Sequence, residues 1–199
     1  MPIRVDPEQR RSHIVEAALR LVVSDGLNAA TFRRVAVESG LNIGSVRHYF
    51  SDHESLIVAV VTEAGSRMGQ RLMKHTPPNA KDDADQRRYL VEVLEELVPL
   101  DTERHREAII LMEVIAASRT NAAFHPVTMQ MAADLDAVLL EALTNLGVPE
   151  PILEARRLAS LLSGLSLDAV TAHGTMKPEL IRNILRLHVN ALPTNSNRP

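Results

Sequence analysis

Apolar residues recur along this chain at intervals of three and four, and nowhere in a convincing alternation bounded by turn signals. That spacing lines one face of an α-helix, whereas a half-buried strand needs alternation, so the expected fold is all-α. The first segment shows it plainly, with Ile14, Ala17, Ala18, Leu21 and Val22 on one face. It opens at Asp6-Pro7-Glu8-Gln9, an N-cap with proline at the first helical position and Gln at the third, and stops at Gly26. Thr31 is placed to cap a short helix carrying Phe32, Val35 and Ala36. Gly40 closes that helix in the left-handed conformation, and Asn42 caps another running from Ile43 to about Tyr49. Ser51-Asp52-His53-Glu54 reads as a capping box for a fourth helix over about 52–75, ended by Thr76-Pro77-Pro78-Asn79. Further helices are expected over about 82–98, 102–118, 126–146, 150–173 and 178–191, making about nine in all.

A chain of 199 residues with 45% hydrophobic content has the means to build a core. It contains no Cys, which excludes disulfides, thiolate catalysis and zinc sites built on Cys. The opening MPIRVDPEQRR has no apolar stretch before a cleavage site, and no segment approaches the roughly 18 apolar residues of a membrane span. A cytoplasmic protein with no membrane partner is expected. The eight His form no HExxH or ExxH pattern, and there is no Gly-rich phosphate loop or nucleophile elbow. The reading is therefore of a non-enzyme without metal or cofactor; the rivals are an all-helical enzyme using His and carboxylates, or a protein-binding adaptor without DNA binding. Net charge is -3, but residues 1–50 hold seven Arg against five acids, leaving a mildly basic head on an acidic body. That asymmetry permits nucleic-acid binding without requiring it.

Two short helices about a tight Gly40-Leu41-Asn42 turn, preceded by a long one, have the layout of a helix-turn-helix. Val35, Ala36, Leu41 and Val46 would fix the interhelical angle. Arg33, Arg34, Asn42, Ser45, Arg47, His48 and Tyr49 would then face outward. A generic small helical triplet accounts for the apolar pattern equally well.

The run TFRRVAVESGLNIGSVRHYFSDHESLI resembles the signature of the tetracycline-repressor-like (TetR) family from end to end. With the leading helix the likeness spans roughly residues 8–60. It implies a ligand-responsive repressor that binds a palindromic double-stranded DNA operator as a homodimer and is released by a small-molecule effector. It implies that Tyr49 meets a backbone phosphate, that Phe50 is core, and that residues near Asn42 to Arg47 meet the major groove. The DNA-binding candidates are therefore Thr31, Arg33, Arg34, Asn42, Ile43, Gly44, Ser45, Arg47, His48, Tyr49 and His53. Arg47 stands where an aromatic residue is frequent, and His53 where a phosphate-binding Lys is usual. Arg47 would reach a guanine edge or a phosphate, and His53 is the weaker cation at neutral pH.

Leu100-Asp101-Thr102-Glu103-Arg104 and Leu161-Leu162-Ser163-Gly164-Leu165 look like the branch of the family typified by the choline-responsive betaine-pathway repressor. Choline is not carried over, because an aromatic cage is its natural receptor and only Tyr89 and Phe124 lie beyond residue 51. The expected division is a helix-turn-helix DNA-binding domain over 1–51, a helical-bundle ligand-binding and dimerisation domain over 52–192, and a disordered tail over 193–199. The stripes Leu158, Leu162, Leu165, Ala169 and Ile181, Ile184, Leu185, His188 are the expected dimer surface. Carboxylates on otherwise apolar faces suggest an effector pocket lined by Met112, Val127 and Met131, with Glu113 or Asp134 as anchor. A structural ion pair, for instance of Glu113 with Arg119, is the competing reading.

Overall fold

The computed structural model describes residues 6–78, 82–174 and 176–194, and carries nine α-helices and no strand among them. They are α1 (Pro7–Asp25), α2 (Phe32–Glu38), α3 (Ile43–Tyr49), α4 (His53–Leu72), α5 (Asp83–Glu96), α6 (Thr102–Ser118), α7 (His125–Leu146), α8 (Pro151–Val170) and α9 (Pro178–Ala191). Short 3-10 turns at Leu27–Ala29 and Ala122–Phe124 join α1 to α2 and α6 to α7. None of the described helices is long and apolar enough to cross a membrane.

Local chemistry sets most boundaries. Asp6 accepts the Glu8 N–H at 3.0 Å to open α1, Thr31 the Arg34 N–H at 3.3 Å to open α2, and Asn42 the Ser45 N–H at 2.8 Å to open α3. The start of α4 corrects the expected register by one residue. Asp52, not Ser51, is the cap: its carboxylate accepts the Ser55 N–H at 2.7 Å while the Ser55 hydroxyl accepts the Asp52 N–H at 3.3 Å. Glu54 instead accepts from the Asn121 amide at 3.2 Å. At its other end α4 stops at Leu72, short of residue 75, and α8 stops at Val170, short of residue 173. Asn79 of the expected break and residues 195–199 of the expected tail lie outside the described residues. Thr194 is 2% exposed, so the tail does not begin at 193.

The described residues form two compact units, with the division falling inside α4, between Ser66 and Arg67, inside α6, between Ala108 and Ile109, and inside α7, between Thr128 and Met129. The first holds the residues up to Ser66 together with Ile109–Thr128. Its buried side chains include Ile14, Ala18 and Val22 of α1, Val35 and Ala36 of α2, Val46 of α3, and Ile57 and Val60 of α4. Ile110, Val114 and Phe124 are buried in the same unit.

The second unit is built on one apolar cluster that includes Leu90 and Leu94 of α5, Leu139 and Leu143 of α7, Leu158, Leu162 and Leu165 of α8, and Ile181, Leu185 and Val189 of α9. This corrects the expected dimer surface. Leu158, Leu162, Leu165, Ile181 and Leu185 are at most 4% exposed within the chain itself, so their stripe packs on its own body. Ala169 and Ile184 pack against the same cluster, and the His188 ring contacts Glu154 at 2.8 Å. The outer side of α8 also carries apolar residues, Ile152, Leu153 and Leu167, so composition alone does not tell the inward stripe from the outward one.

Two charged arrangements fasten this unit. The Arg87 guanidinium bonds Asp83 at 2.6 Å and donates to the carbonyls of Val189 and Leu192, closing the C-terminal end of α9. Arg87 also holds the Asp83 carboxyl below the usual aspartate range. Arg71 of α4 forms two bonds to Glu107 of α6, at 2.8 and 2.5 Å, and a third to Glu96 of α5 at 3.0 Å. Glu107 is only 3% exposed, a burial that a carboxylate tolerates because a bidentate cation meets it.

Candidate nucleic-acid interface

The turn between α2 and α3 is fixed by backbone geometry. Gly40 has φ +66°, in the left-handed region that costs an L side chain about 1 to 2 kcal/mol. That conformation lets the Leu41 N–H reach the Ala36 carbonyl at 2.9 Å and the Gly40 N–H reach Val37 at 3.1 Å, the paired bonds of a Schellman ending. The next residue, Asn42, at once caps α3. Gly44 allows this, since a Cβ there would stand 3.2 Å from the Asn42 Oδ1.

α1 holds the pair in place by contacts that periodicity does not reveal. The His13 ring bonds the Ser39 carbonyl at 2.8 Å, and Arg20 meets Glu38 at 2.6 Å. At the C-cap of α2 the Ser39 hydroxyl donates back to the Val35 carbonyl at 2.6 Å. Val35 and Val46 are fully buried, and with one wholly buried valine a helix of seven residues leaves most of its other side chains at least partly exposed.

Along α3, Ile43, Gly44, Arg47 and His48 are exposed, Ser45 and Tyr49 are partly buried, and the His48 and Tyr49 rings meet edge to face at 5.2 Å. Arg33 and Arg47 make no ion pair among the described residues, whereas Arg34 is bound to Asp25. Thr31 and Asn42 are exposed but spend their side-chain oxygens on caps, which leaves the Asn42 amide hydrogens for an external acceptor. His53 is partly buried with its Nε2 enclosed and unpartnered, so any phosphate contact falls to Nδ1. The structure thus brings the sequence candidates together on one short helix and its flanks, and takes Arg34 out of the supply of free cations.

Neither effector anchor candidate is buried. Met112, Val127 and Met131 are partly buried, but Glu113 and Asp134 are exposed. The Glu113 Oε2 accepts the Leu27 N–H at 3.2 Å, at the turn after α1, rather than meeting Arg119 or an enclosed cavity. Asp134 accepts from Gln130, one turn earlier on α7, at 2.7 Å. Phe124 is packed in the first unit and Tyr89 against the core of the second. The second unit contains an open cleft of about 520 Å³ between Arg67 and Arg71 of α4, with Lys74 just beyond it, and the first turns of α6, lined by none of the effector candidates.

A short helix with an exposed face beyond a glycine turn, clamped by a longer helix, has the layout of a helix-turn-helix. Residues 14–60 match the model of bacterial regulatory proteins of the tetR family, and residues 86–194 match that of the BetI-type transcriptional repressor C-terminal domain. The chain belongs to the tetR family of DNA-binding transcriptional regulators. It is 27% identical to the HTH-type transcriptional regulator PksA of Bacillus subtilis, over all of this chain and 97% of that protein. A transcriptional regulator from Rhodococcus sp. RHA1 has the same fold, with a TM-score of 0.83 at 23% identity, covering 92% of this chain and 95% of that one. So does a regulator from Saccharomonospora viridis solved with choline, with a TM-score of 0.79 at 18% identity, covering 92% and 97%.

Proposed function

We propose that the chain is a repressor that binds a palindromic operator as a homodimer, places α3 in the major groove, and is released by a small-molecule effector. Residues 1–51 act as the DNA-binding head and 52–192 as the effector-binding and dimerisation body, in the cytoplasm and without enzymatic activity. The observation that carries this is the outward face of α3, where Ile43, Gly44, Arg47 and His48 stand exposed over the buried Val46. The first residues of such a helix meet base edges: Ile43 suits a thymine methyl, and Arg47 suits guanine O6 and N7. Gly44 keeps the helix start bare, so a phosphate or base approaches the capped N-terminus closely.

The dimer surface we assign is the outer face of the last two helices. Ile152, Leu153 and Leu167 of α8 and Leu180 and Leu187 of α9 are 48 to 73% exposed, with Ser160, Ser163 and Gly164 between them on α8. Small residues flanked by exposed leucines favour close helix approach, and leaving this surface in water is unfavourable. Effector and operator are then coupled through the relative placement of two heads, and by reciprocity each weakens the other's binding by the same factor.

The test is capture of genomic fragments by the purified protein, followed by titration of a recovered fragment at fixed salt. Tyr49→Phe should weaken binding to all sequences. Arg47→Ala should cost about 1 to 3 kcal/mol and relax one base position if its contact is bidentate. Failure to retain any fragment, or unchanged titrations with both variants, would refute the assignment.

A further inference from the structure

Arg11 is exposed on α1, and its guanidinium carbon sits 5.3 Å from the centroid of the Phe50 ring. Phe50 closes α3 and directly follows Tyr49, and at 3% exposure its ring is a fixed platform. A guanidinium over an aromatic face is held by the quadrupole of the ring, without spending its five N–H donors. Two cations of the same unit differ: Arg20 is bound to Glu38 and Arg34 to Asp25, carboxylates that neutralise them. Arg11 makes no ion pair among the described residues. Its guanidinium thus rests against a ring and not against a carboxylate.

Position decides what such a cation meets. A recognition helix directs its N-terminal residues to base edges, so its C-terminal end, where Phe50 lies, is carried out toward the sugar-phosphate backbone. Fixing a long flexible side chain on a phosphate normally costs rotamer entropy, and stacking on Phe50 removes part of that cost before DNA arrives.

We propose that Arg11 is a phosphate-binding residue that extends the DNA interface from α3 onto α1, with Phe50 as the platform that positions its guanidinium. This rests on the reading that α3 engages double-stranded DNA. Arg11 adds affinity without sequence preference, through release of the counterion from the phosphate it neutralises.

The experiment compares the full chain with Arg11→Gln, Arg11→Lys, Phe50→Leu and Tyr49→Phe, titrated against a captured fragment and a random-sequence duplex over a range of salt. Arg11→Gln should weaken both complexes by a similar factor. Its plot of log affinity against log salt should be shallower by about 0.9 for each protomer bound, so that its deficit shrinks about threefold per protomer between about 50 and 200 mM salt. Arg11→Lys should keep the slope, and Phe50→Leu, which retains an apolar core side chain but removes the π face, should keep the slope while losing affinity. An unchanged slope in Arg11→Gln overturns the proposal, even if its melting temperature falls, because a purely structural clamp alters stability and not the number of counterions released. If Tyr49→Phe also leaves binding unchanged, the reading of α3 fails with it; if Arg11→Gln alone does, only the role of Arg11 fails.

Discussion

Glu113 shares a helical face with Ile109, Met112 and Ala116, which in the sequence makes it a buried carboxylate in need of a partner. In the fold it is exposed, and its Oε2 serves the N–H of Leu27, at the first residue of a 3-10 turn where backbone donors lack partners of their own. Gly26 stands beside it at φ +83°, and a Cβ there would lie 3.7 Å from the same oxygen. Glu113→Ala should therefore cost about 1 kcal/mol of stability and accelerate hydrogen exchange at the Leu27 amide. Glu113→Gln keeps an acceptor oxygen and should lose less. An exchange rate at Leu27 that neither variant moves would remove this role. No local pattern announces the contact, because Leu27 and Glu113 are far apart in the chain and only packing brings them together.

The opening of α4 shows the same limit at the scale of an element. Serine, aspartate and glutamate in Ser51-Asp52-His53-Glu54 all have capping chemistry, and spacing alone does not choose between two frames one residue apart. The fold chooses Asp52, whose carboxyl is held below its ordinary value first by the Ser55 backbone N–H and then by the Ser51 and Ser55 hydroxyls. A carboxyl with a lowered folded pKa favours the native state when ionised. Its contribution is complete above the unfolded aspartate value of about 3.9 and disappears as pH falls through the lower folded value. Acid titration of melting temperature should thus show a loss below about pH 4 that is smaller in Asp52→Asn, which keeps an acceptor but has no proton to take up. Identical acid limbs in the two proteins would show that this cap contributes nothing to acid sensitivity.

For the whole molecule, the two faces of α8 make opposite predictions. Leu165 is 4% exposed in the chain's own cluster, so Leu165→Arg buries an unpaired cation and should unfold the second unit. Leu167 and Leu187 are 48% and 73% exposed, so arginine at either should leave the melting profile of the chain nearly intact. In the proposed assembly those same changes should convert dimer to monomer in sedimentation and lower operator affinity, because two half-sites are no longer engaged together. A folded, fully dimeric Leu167→Arg, Leu187→Arg double variant would place the dimer surface elsewhere.

Helix number and type, the caps at Asp6, Thr31 and Asn42, and the turn at Gly40 were all legible in the sequence, because each depends on groups within a few residues of one another. The two short helices and their turn were legible for the same reason, but the apolar pattern suits any small helical triplet, and it was the family signature over residues 31–57 that pointed to a helix-turn-helix. Which apolar side of α8 faces the core was not, since Leu158, Leu162 and Leu165 mark one side of the helix while Leu153 and Leu167, about four turns apart, mark the other. Periodicity gives the angle between stripes and not their direction. Nor did spacing reveal that Arg34 is neutralised by Asp25, that Arg71 is clamped by Glu107, or that Arg11 rests on Phe50. Those pairings join residues from separate elements, and a charge acquires its role only when tertiary packing sets what lies within a few ångströms of it.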